Sequence, residues 1–487
     1  RIDDPDYATL SPVAITARAA ELALMDAGMD GCKEHIDTVM TTRIFEDSAP
    51  VLEFPFGRSN NFPRSVCKRL NINPAMAIWA TSGGDTPQKL VTEACDRIWQ
   101  GVSKAVLISG GEALSTSRFL QKQGSDVDWS EDLEEQVDDR GAIIDYLTHD
   151  EIMNGLVTPP LFYGLMENAK RLAAGIDADR WAEQMGALFA PFAAVASENP
   201  LAAQHDKAFT AADLTTVAPG NRYVASPYPQ RLVARDQVNQ SAALVVISTG
   251  FADELGISPS ARVYLHGQAV AGEPPVTLRA ELGQAPSAGL ALNRALDRAA
   301  CVADDIAYFD FYSCFPIAVS NAIEAIDLSG DDPRGLTITG GLPYFGGPGN
   351  SYSMHALAEM MVRLRSHPEK RGLVGANGGF LSKYAVGIYA TTPAAYEPYD
   401  SADLDEAMSQ QVVPHFETNP NGEGKIEAYT LAYDREGQVK TAIIAGRLLQ
   451  DDARFLAKVG RDAPDVLKLF GNFHLGEQSV LVTAGEQ

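Results

Sequence analysis

The chain has 487 residues, and its 39 Lys and Arg against 64 Asp and Glu leave a net charge of −25. At roughly 100–200 residues per domain, that length suggests two to four domains. With 45% hydrophobic and 21% charged residues, the composition excludes a disordered or fibrous chain. An acidic surface repels phosphate, so nucleic acid and anionic membrane faces are excluded as general partners.

Five scattered cysteines (Cys32, Cys67, Cys95, Cys301 and Cys314), with no Cys-x-x-Cys pair, fit a reducing compartment better than a disulfide framework. The eight histidines form no ligand cluster, so no metal site is expected. No run of about 18 apolar residues occurs, which excludes a membrane-spanning helix. With no signal peptide at its start, the chain reads as cytoplasmic. It opens on RIDDPDY without Met, so further N-terminal sequence is expected to precede it.

Ser11-Pro12 is a cap and first-turn pair, and it predicts a helix to Ala27 that stops at Gly28. Strand-like runs follow at 36–44 and 75–80. SGGDTPQ then leads into a helix over 86–100, with Leu90, Ala94 and Ile98 on one face. KAVLIS (104–109) enters as a buried strand. Strand, helix and buried strand make a βαβ unit and imply a parallel sheet covered by helices.

Residues 112–235 break this rhythm and read as an insertion. Their acidic block, eight carboxylates over 126–139, is expected to be a solvated loop. Buried strands return at 242–248 and 261. A second βα series follows: a helix at 289–300, strand 307–313, a helix to about 326, a glycine-rich loop at 340–350, a helix at 354–365, and strands at 372–377 and 385–390. Two such halves around an insertion predict a duplicated α/β core.

From 401 the pattern alternates. Strands at 425–433 and 439–449 flank Arg435-Glu436-Gly437 as a hairpin, and a short helix and a strand at 480–483 follow. This predicts a small β-rich domain, an OB-like five-stranded barrel. Its 14 carboxylates against eight Lys or Arg, a net −6, argue against nucleic acid there. Its surplus apolar residues argue for packing on the core.

Four segments sit where buried strands give way to turns or helices, the usual place for ligands in α/β sheets: SGGDTPQ (82–88), YSCFP (312–316), GGPGNSYSMH (346–355) and ANGGF (376–380). Any one of them is also what a tight turn requires. In this order they resemble the loops of the thiolase superfamily over residues 1–400. YSCFP stands where Asn-Glu-Ala-Phe or His-Asp-Cys-Phe is found, GGPGNSYSMH at Gly-His-Pro, and ANGGF at Cys-x-Gly. KAVLISGGEAL, with Glu112 at the acidic position, resembles the strand and turn after the nucleophile helix, and DQVNQSAALVVIS (236–248) the return into the first half. With the β-rich tail, the chain looks most like type-1 thiolase-like proteins with an additional C-terminal domain.

The resemblance implies a duplicated five-layered αβαβα fold. It assigns 1–111 to the N-terminal half, 112–235 to a loop-domain insertion and 236–260 to the return. Residues 261–400 form the C-terminal half and 401–487 the additional domain. It also implies acyl-CoA metabolism, with a coenzyme A thioester as ligand and no bound cofactor. The oligomer is expected to be a monomer or homodimer, with a protein partner engaged through the C-terminal domain.

Thiolase chemistry needs a thiolate at a helix N-terminus, a second Cys as acid and base, and an imidazole with backbone N–H groups around the oxyanion. Here the nucleophile position falls on Gly84, where a glycine also suits a positive φ, and none of Ala80, Thr81, Ser82 or Gly83 is Cys. Cys95 lies mid-helix and reads as a packing residue. The second Cys maps to Ala376 or Asn377, the Gly-His-Pro His to Tyr352, and the third-loop Asn or His to Tyr312. Replacement catalytic candidates are therefore Tyr312, Cys314, His355 and Asn377. The expected ligand-lining residues are Gly83, Gly84, Ser313, Phe315, Gly347, Asn350, Tyr352 and Gly378. Without two cysteines and a histidine, acyl transfer is not expected. The alternatives are an interaction protein using the C-terminal domain, or different thioester chemistry such as hydrolysis or retro-aldol cleavage.

Overall fold

The computed structural model describes residue 4 and residues 6–48, 52–142, 146–471 and 479–482. Its strands, in chain order, are β1 (Thr38–Thr41), β2 (Met76–Trp79), β3 (Ala105–Ala113), β4 (Asp138–Asp139), β5 (Tyr223–Ala225), β6 (Tyr228–Pro229), β7 (Asn239–Ile247) and β8 (Tyr264–Gly272). These are followed by β9 (Tyr308–Phe311), β10 (Arg371–Gly378), β11 (Lys383–Ala390), β12 (Gly422–Tyr433), β13 (Val439–Leu448), β14 (Arg454–Val459) and β15 (Ser479–Val482). They form three sheets, ordered β4-β2-β1-β3-β7, β8-β11-β10-β9 and β14-β13-β12-β5-β6, with β15 also on β12.

The first two sheets enclose a layer of helices. Helix Thr86–Trp99 touches β3 on one side and β10 and β11 on the other, and helix Tyr352–Ser366 bridges β7 and β10. Helix Pro12–Asp26 covers the outer face of the first sheet, and helix Pro286–Arg298 that of the second. The result is helix, sheet, helix, sheet, helix, the five layers expected. Because both faces of β3 are covered, all nine of its residues are buried, and its first four, Ala105 to Ile108, are continuously apolar. Between the sheets, Met40, Ile78, Leu90, Ile108, Leu357, Met360 and Val374 form one apolar cluster. Cys95 packs against this cluster from mid-helix, as expected of a packing residue.

Local signals acted where anticipated. Ser11 Oγ accepts from the Ala14 amide at 3.1 Å, Pro12 occupies the first turn, and the chain turns away at Gly28 with φ +70°. The insertion is more helical than its loop-rich sequence suggested. Helices Pro159–Ala173 and Ala178–Glu198 carry Phe162, Leu165, Met166, Phe189 and Phe192 into the main core.

The C-terminal sheet is not an appendage. Residues of the insertion supply β5 and β6, with Ala225 opposite Ala432 and the Ser226 amide donating to the Leu431 carbonyl at 3.0 Å. Arg454, with no exposed surface, donates to the carbonyls of Thr277 (3.0 Å) and Ala280 (2.9 Å) and pairs with Glu427. The sheet is β-rich as expected. Its strand pairings run along an open path, so no barrel closure occurs among the described residues. The predicted last strand is present as β15, and its expected end at residue 483 lies outside the described residues.

The acidic block faces solvent, with no residue from 126 to 139 buried, and its backbone is tied at several points to the 56–64 segment before it reaches the first sheet. The Trp129 amide donates to the Phe56 carbonyl (2.6 Å), the Asn60 amide to the Glu131 carbonyl (3.0 Å) and the Glu131 amide to the Arg58 carbonyl (3.3 Å), and Arg64 Nε reaches the Gln136 carbonyl at 3.0 Å. β4 then pairs in parallel with β2, and Arg140 holds Glu93 through two 2.7 Å bonds and Asp138 through one of 3.0 Å. The carboxylates face outward because the backbone between them is bound. An uncovered edge strand is a template for pairing with another chain, and here the edge of β2 is covered internally. Arg140→Asp, which sets a carboxylate against Glu93 and Asp138, is therefore expected to loosen the segment. Its signature is faster proteolysis within 126–142 and a sedimentation mass that rises with concentration relative to the parent protein. An unchanged cleavage rate would show that Arg140 does not hold the cover.

Candidate functional site

The four loops, three of them glycine-bearing, converge at the N-terminus of helix Thr86–Trp99. The backbone leaves β2 and turns at Gly83, whose φ of +147° a side chain rarely adopts. Gly84 carries no such angle, so the positive φ anticipated there belongs to its neighbour. The turn is pinned from the opposite half of the core. Asn350 Oδ1 accepts from the Gly83 amide at 2.9 Å, and Ser353 Oγ donates to the Gly84 carbonyl at 2.8 Å. Asn350 is itself held, its Nδ2 donating to the Arg43 carbonyl (3.0 Å) and Ser48 Oγ (2.7 Å).

Gly84 faces Tyr312. A Cβ on Gly84 would fall inside contact distance of Tyr312 Oη and 2.5 Å from the Asn377 carbonyl oxygen. The space beside the Gly84 backbone is filled. Around it, Asn377 Nδ2 donates to Tyr163 Oη at 2.8 Å and approaches Cys314 Sγ at 3.7 Å. Tyr163 stacks on Phe315 with ring centroids 4.2 Å apart. The structure thus brings Gly84, Tyr312, Cys314, Phe315 and Asn377 into one buried cluster.

Tyr352 stands edge-on to Tyr312, centroids 5.5 Å apart, and its hydroxyl turns away from the cluster. It donates to Asp310 Oδ1 at 2.9 Å and lies 2.7 Å from Thr339 Oγ1. Asp310 Oδ2 accepts from Thr337 Oγ1 (2.9 Å) and the amides of Ile338 (3.0 Å) and Thr339 (3.2 Å). These donors lower the Asp310 pKa, but burial outweighs them and raises it. His355 lies apart, half-buried against the Phe345 ring at 5.3 Å, with no hydrogen bond or ring contact to Tyr312, Cys314 or Asn377 among the described residues.

The remaining expected residues shape loops. Ser313 Oγ accepts from Leu342 N at 3.2 Å, and the Gly347 amide donates to Arg235 O at 2.8 Å. Gly378 leaves room for the Asp85 carboxylate. Asp85 and Tyr163 were not singled out by sequence reasoning. Asp85 is 1% exposed, neither of its oxygens accepts a protein hydrogen bond, and Lys89 Nζ lies 3.6 Å away.

Protonation leaves the cluster uncharged. Burial pushes the Cys314 thiol up to about 12 and holds Tyr312, Tyr163 and Tyr352 well above the usual phenol range. Desolvation holds His355 down at about 4, so the ring is neutral. No group of three or more His, Cys, Asp or Glu is arranged to hold a metal, and no helix is long and apolar enough to cross a membrane, among the described residues.

Residues 403–484 match the family model described as the thiolase-like protein type 1 additional C-terminal domain. The crystal structure of a monomeric SCP2-thiolase-like protein type 1 from Mycobacterium smegmatis is 38% identical, with a TM-score of 0.84 over 98% of this chain and 94% of that one. The chain belongs to the thiolase-like protein type 1 family. Human mitochondrial 3-ketoacyl-CoA thiolase in complex with CoA (18% identity, TM-score 0.55, 79% of this chain and 93% of that one) shares the fold. So does the Ltp2-ChsH2(DUF35) aldolase (16%, 0.56, 78% and 94%). A search of curated proteins gives no match.

Two outcomes follow for this thiolase-like protein. Gly84→Cys overpacks a filled site and is expected to cost about 1–3 kcal/mol, read from the urea midpoint, with a smaller loss in a Tyr312→Ala background. Equal losses in both backgrounds would place the clash elsewhere. Glu112, at the turn beneath Gly349, accepts from the Phe45 amide at 2.7 Å and is fully buried. Burial first, then Glu46 and Asp236, raise its pKa well above the carboxylate range. Stability that depends on neutral Glu112 is complete below the unfolded carboxyl pKa, roughly 4.3, and is lost as pH rises through the folded value. Glu112→Gln is neutral at every pH and is expected to flatten that fall. Parallel stability profiles for the two proteins would refute it.

Proposed function

We propose that the protein works by binding rather than by acyl transfer, as a thiolase-fold member of acyl-thioester metabolism whose former reaction centre is closed. One observation carries this reading: Tyr312 and the Asn377 carbonyl occupy the space a nucleophile's side chain would need at Gly84. The protonation states support it. Acyl transfer needs a thiolate and a base poised near neutrality, whereas Cys314 at about 12 stays a thiol and His355 at about 4 lies outside the cluster. The ligand class, a coenzyme A thioester, comes from the family and not from any phosphate-binding group identified in this chain.

Acetoacetyl-CoA thiolysis is therefore expected to be undetectable in the parent protein and in Gly84→Cys, followed as loss of the magnesium enolate band. The variant would still lack a second thiol at Ala376 or Asn377 and an imidazole at Tyr352. Losing one oxyanion donor costs about 2.7–4 kcal/mol in other enzymes, and here several groups are absent together. Calorimetry with CoA is expected to give micromolar binding. Parent turnover that disappears in Cys314→Ala would overturn the reading, and absence of CoA binding would remove its ligand.

Asp85 favours a second reading, in which the centre performs hydrolysis or retro-aldol cleavage. A buried carboxylate without hydrogen-bond donors, next to Gly84 and facing the ANGGF turn, is the one group there suited to take a proton. Release of free CoA from a β-hydroxyacyl-CoA, lost in Asp85→Asn, would select it over the first.

A further inference from the structure

One apolar groove lies away from the loop cluster. It measures about 430 Å³ and runs between the 273–286 segment, the ends of helices Pro286–Arg298 and Pro316–Glu324, and the 408–413 segment that leads to the C-terminal sheet. Its walls are apolar, with Leu278, Ala285, Ala325 and Met408 on them and Val412 and Val413 at the rim, 75% and 59% exposed. Small-molecule sites usually span roughly 300–1,000 Å³ with such walls and a few placed polar groups.

The polar lining consists of three carboxylates, Glu273, Glu281 and Glu324, one arginine and the amides Gln284, Asn321 and Gln411. Glu273 lies at the floor, 1% exposed by its side chain, and its Oε2 accepts no hydrogen bond. The one arginine there, Arg279, is 3.3 Å from that oxygen, but its N–H groups are committed: Nε to the Pro274 carbonyl (3.1 Å), Nη2 to the Phe380 carbonyl (2.9 Å) and Ser382 Oγ (3.2 Å). Glu324 is offset by Lys170 at 2.8 Å. Glu281, exposed at the mouth, has no ion pair among the described residues. With Glu273 set against Arg279 and Glu324 against Lys170, one negative charge is left over, on a chain of net charge −25. The groove therefore disfavours the anionic ligands of acyl-CoA metabolism and favours the opposite charge.

We propose that this groove is a binding site for a small amphiphile that carries a protonated amine on an apolar body. The apolar part lies along Leu278, Ala285 and Ala325, and the ammonium meets the exposed Glu281, the carboxylate of the groove that carries no ion pair among the described residues. Its floor is fixed from outside the core, because Arg454 of the C-terminal sheet holds the Thr277 and Ala280 carbonyls. The site is independent of the closed reaction centre and of any CoA binding.

The test is calorimetric titration of the full chain with n-octylamine and n-octanoate at neutral pH. Octylamine is expected to bind at one site per chain, at least ten-fold more tightly than octanoate. Ala325→Trp, which fills the groove at a half-buried position, is expected to abolish octylamine binding with an unchanged melting temperature. Glu281→Gln, on the surface, is expected to weaken octylamine about five-fold and to narrow the preference over octanoate. Equal affinity for amine and carboxylate would overturn the proposal. So would octylamine binding that persists in a folded Ala325→Trp protein, or its absence in the parent.

Discussion

The architecture depends on how closely two backbone turns approach across the core. Gly83 and Gly84 begin a helix that lies between both sheets, and the opposite half grips them at each end, by Asn350 at the amide and Ser353 at the carbonyl. Side chains on Gly84 or Gly378 would force these turns apart, since Tyr312, the Asn377 carbonyl and Asp85 already occupy the space beside them. Only backbone without Cβ lets the two halves close to this distance. Buried amides and carbonyls must find partners, so the same contacts that join the halves also satisfy the helix start.

The C-terminal sheet extends this logic to the third layer group. Asn168 on an insertion helix donates to the Tyr429 carbonyl at 2.9 Å, and Thr430 Oγ1 donates to Ser226 O at 3.1 Å. Arg454 sends its guanidinium to core carbonyls while Glu427 balances its charge. Leaving one partner of such a buried pair alone costs about 3–5 kcal/mol. Core, insertion and C-terminal sheet therefore form one mechanically joined body.

Much of the fold was legible because its signals are local. The Ser11-Pro12 cap, the apolar run from Ala105 to Ile108 in β3 and the alternation of β12 and β13 each report the environment of their own segment. The four loops were legible as strand ends, and Tyr312, Cys314 and Asn377 do meet. What stayed hidden depends on distant partners. Residues 126–139 read as a solvated charge run and do face water, but the partners of their backbone, in the 56–64 segment some 70 residues earlier in the chain, leave no local signal, as with Asn61 and Glu135. Two short strands at 223–229 have no periodicity long enough to detect and acquire their role from β12 alone. His355 follows Tyr352 by one helical turn, yet the Tyr352 hydroxyl turns to Asp310 and His355 turns to Phe345. Spacing along a helix places side chains on a face, but what that face meets is set by the rest of the core.

The chemistry of the centre follows from the same packing. An active thiolate needs a cation, a dipole or an imidazole to favour its charge, and a phenolate needs the same. Around Cys314 the neighbours are Tyr163, Asn377 and Phe315, groups that stack or hydrogen-bond without supplying positive charge. Nearby carboxylates push in the other direction, and Asp85 adds to the rise in Tyr312. Gly84 and the tyrosine ring over it are thus two halves of one packing solution. The glycine makes the space, the ring fills it, and each residue makes the other acceptable to the core. A side chain at Gly84 must displace the ring, and a smaller residue at Tyr312 leaves a cavity beside the glycine, so the two positions are coupled through packing.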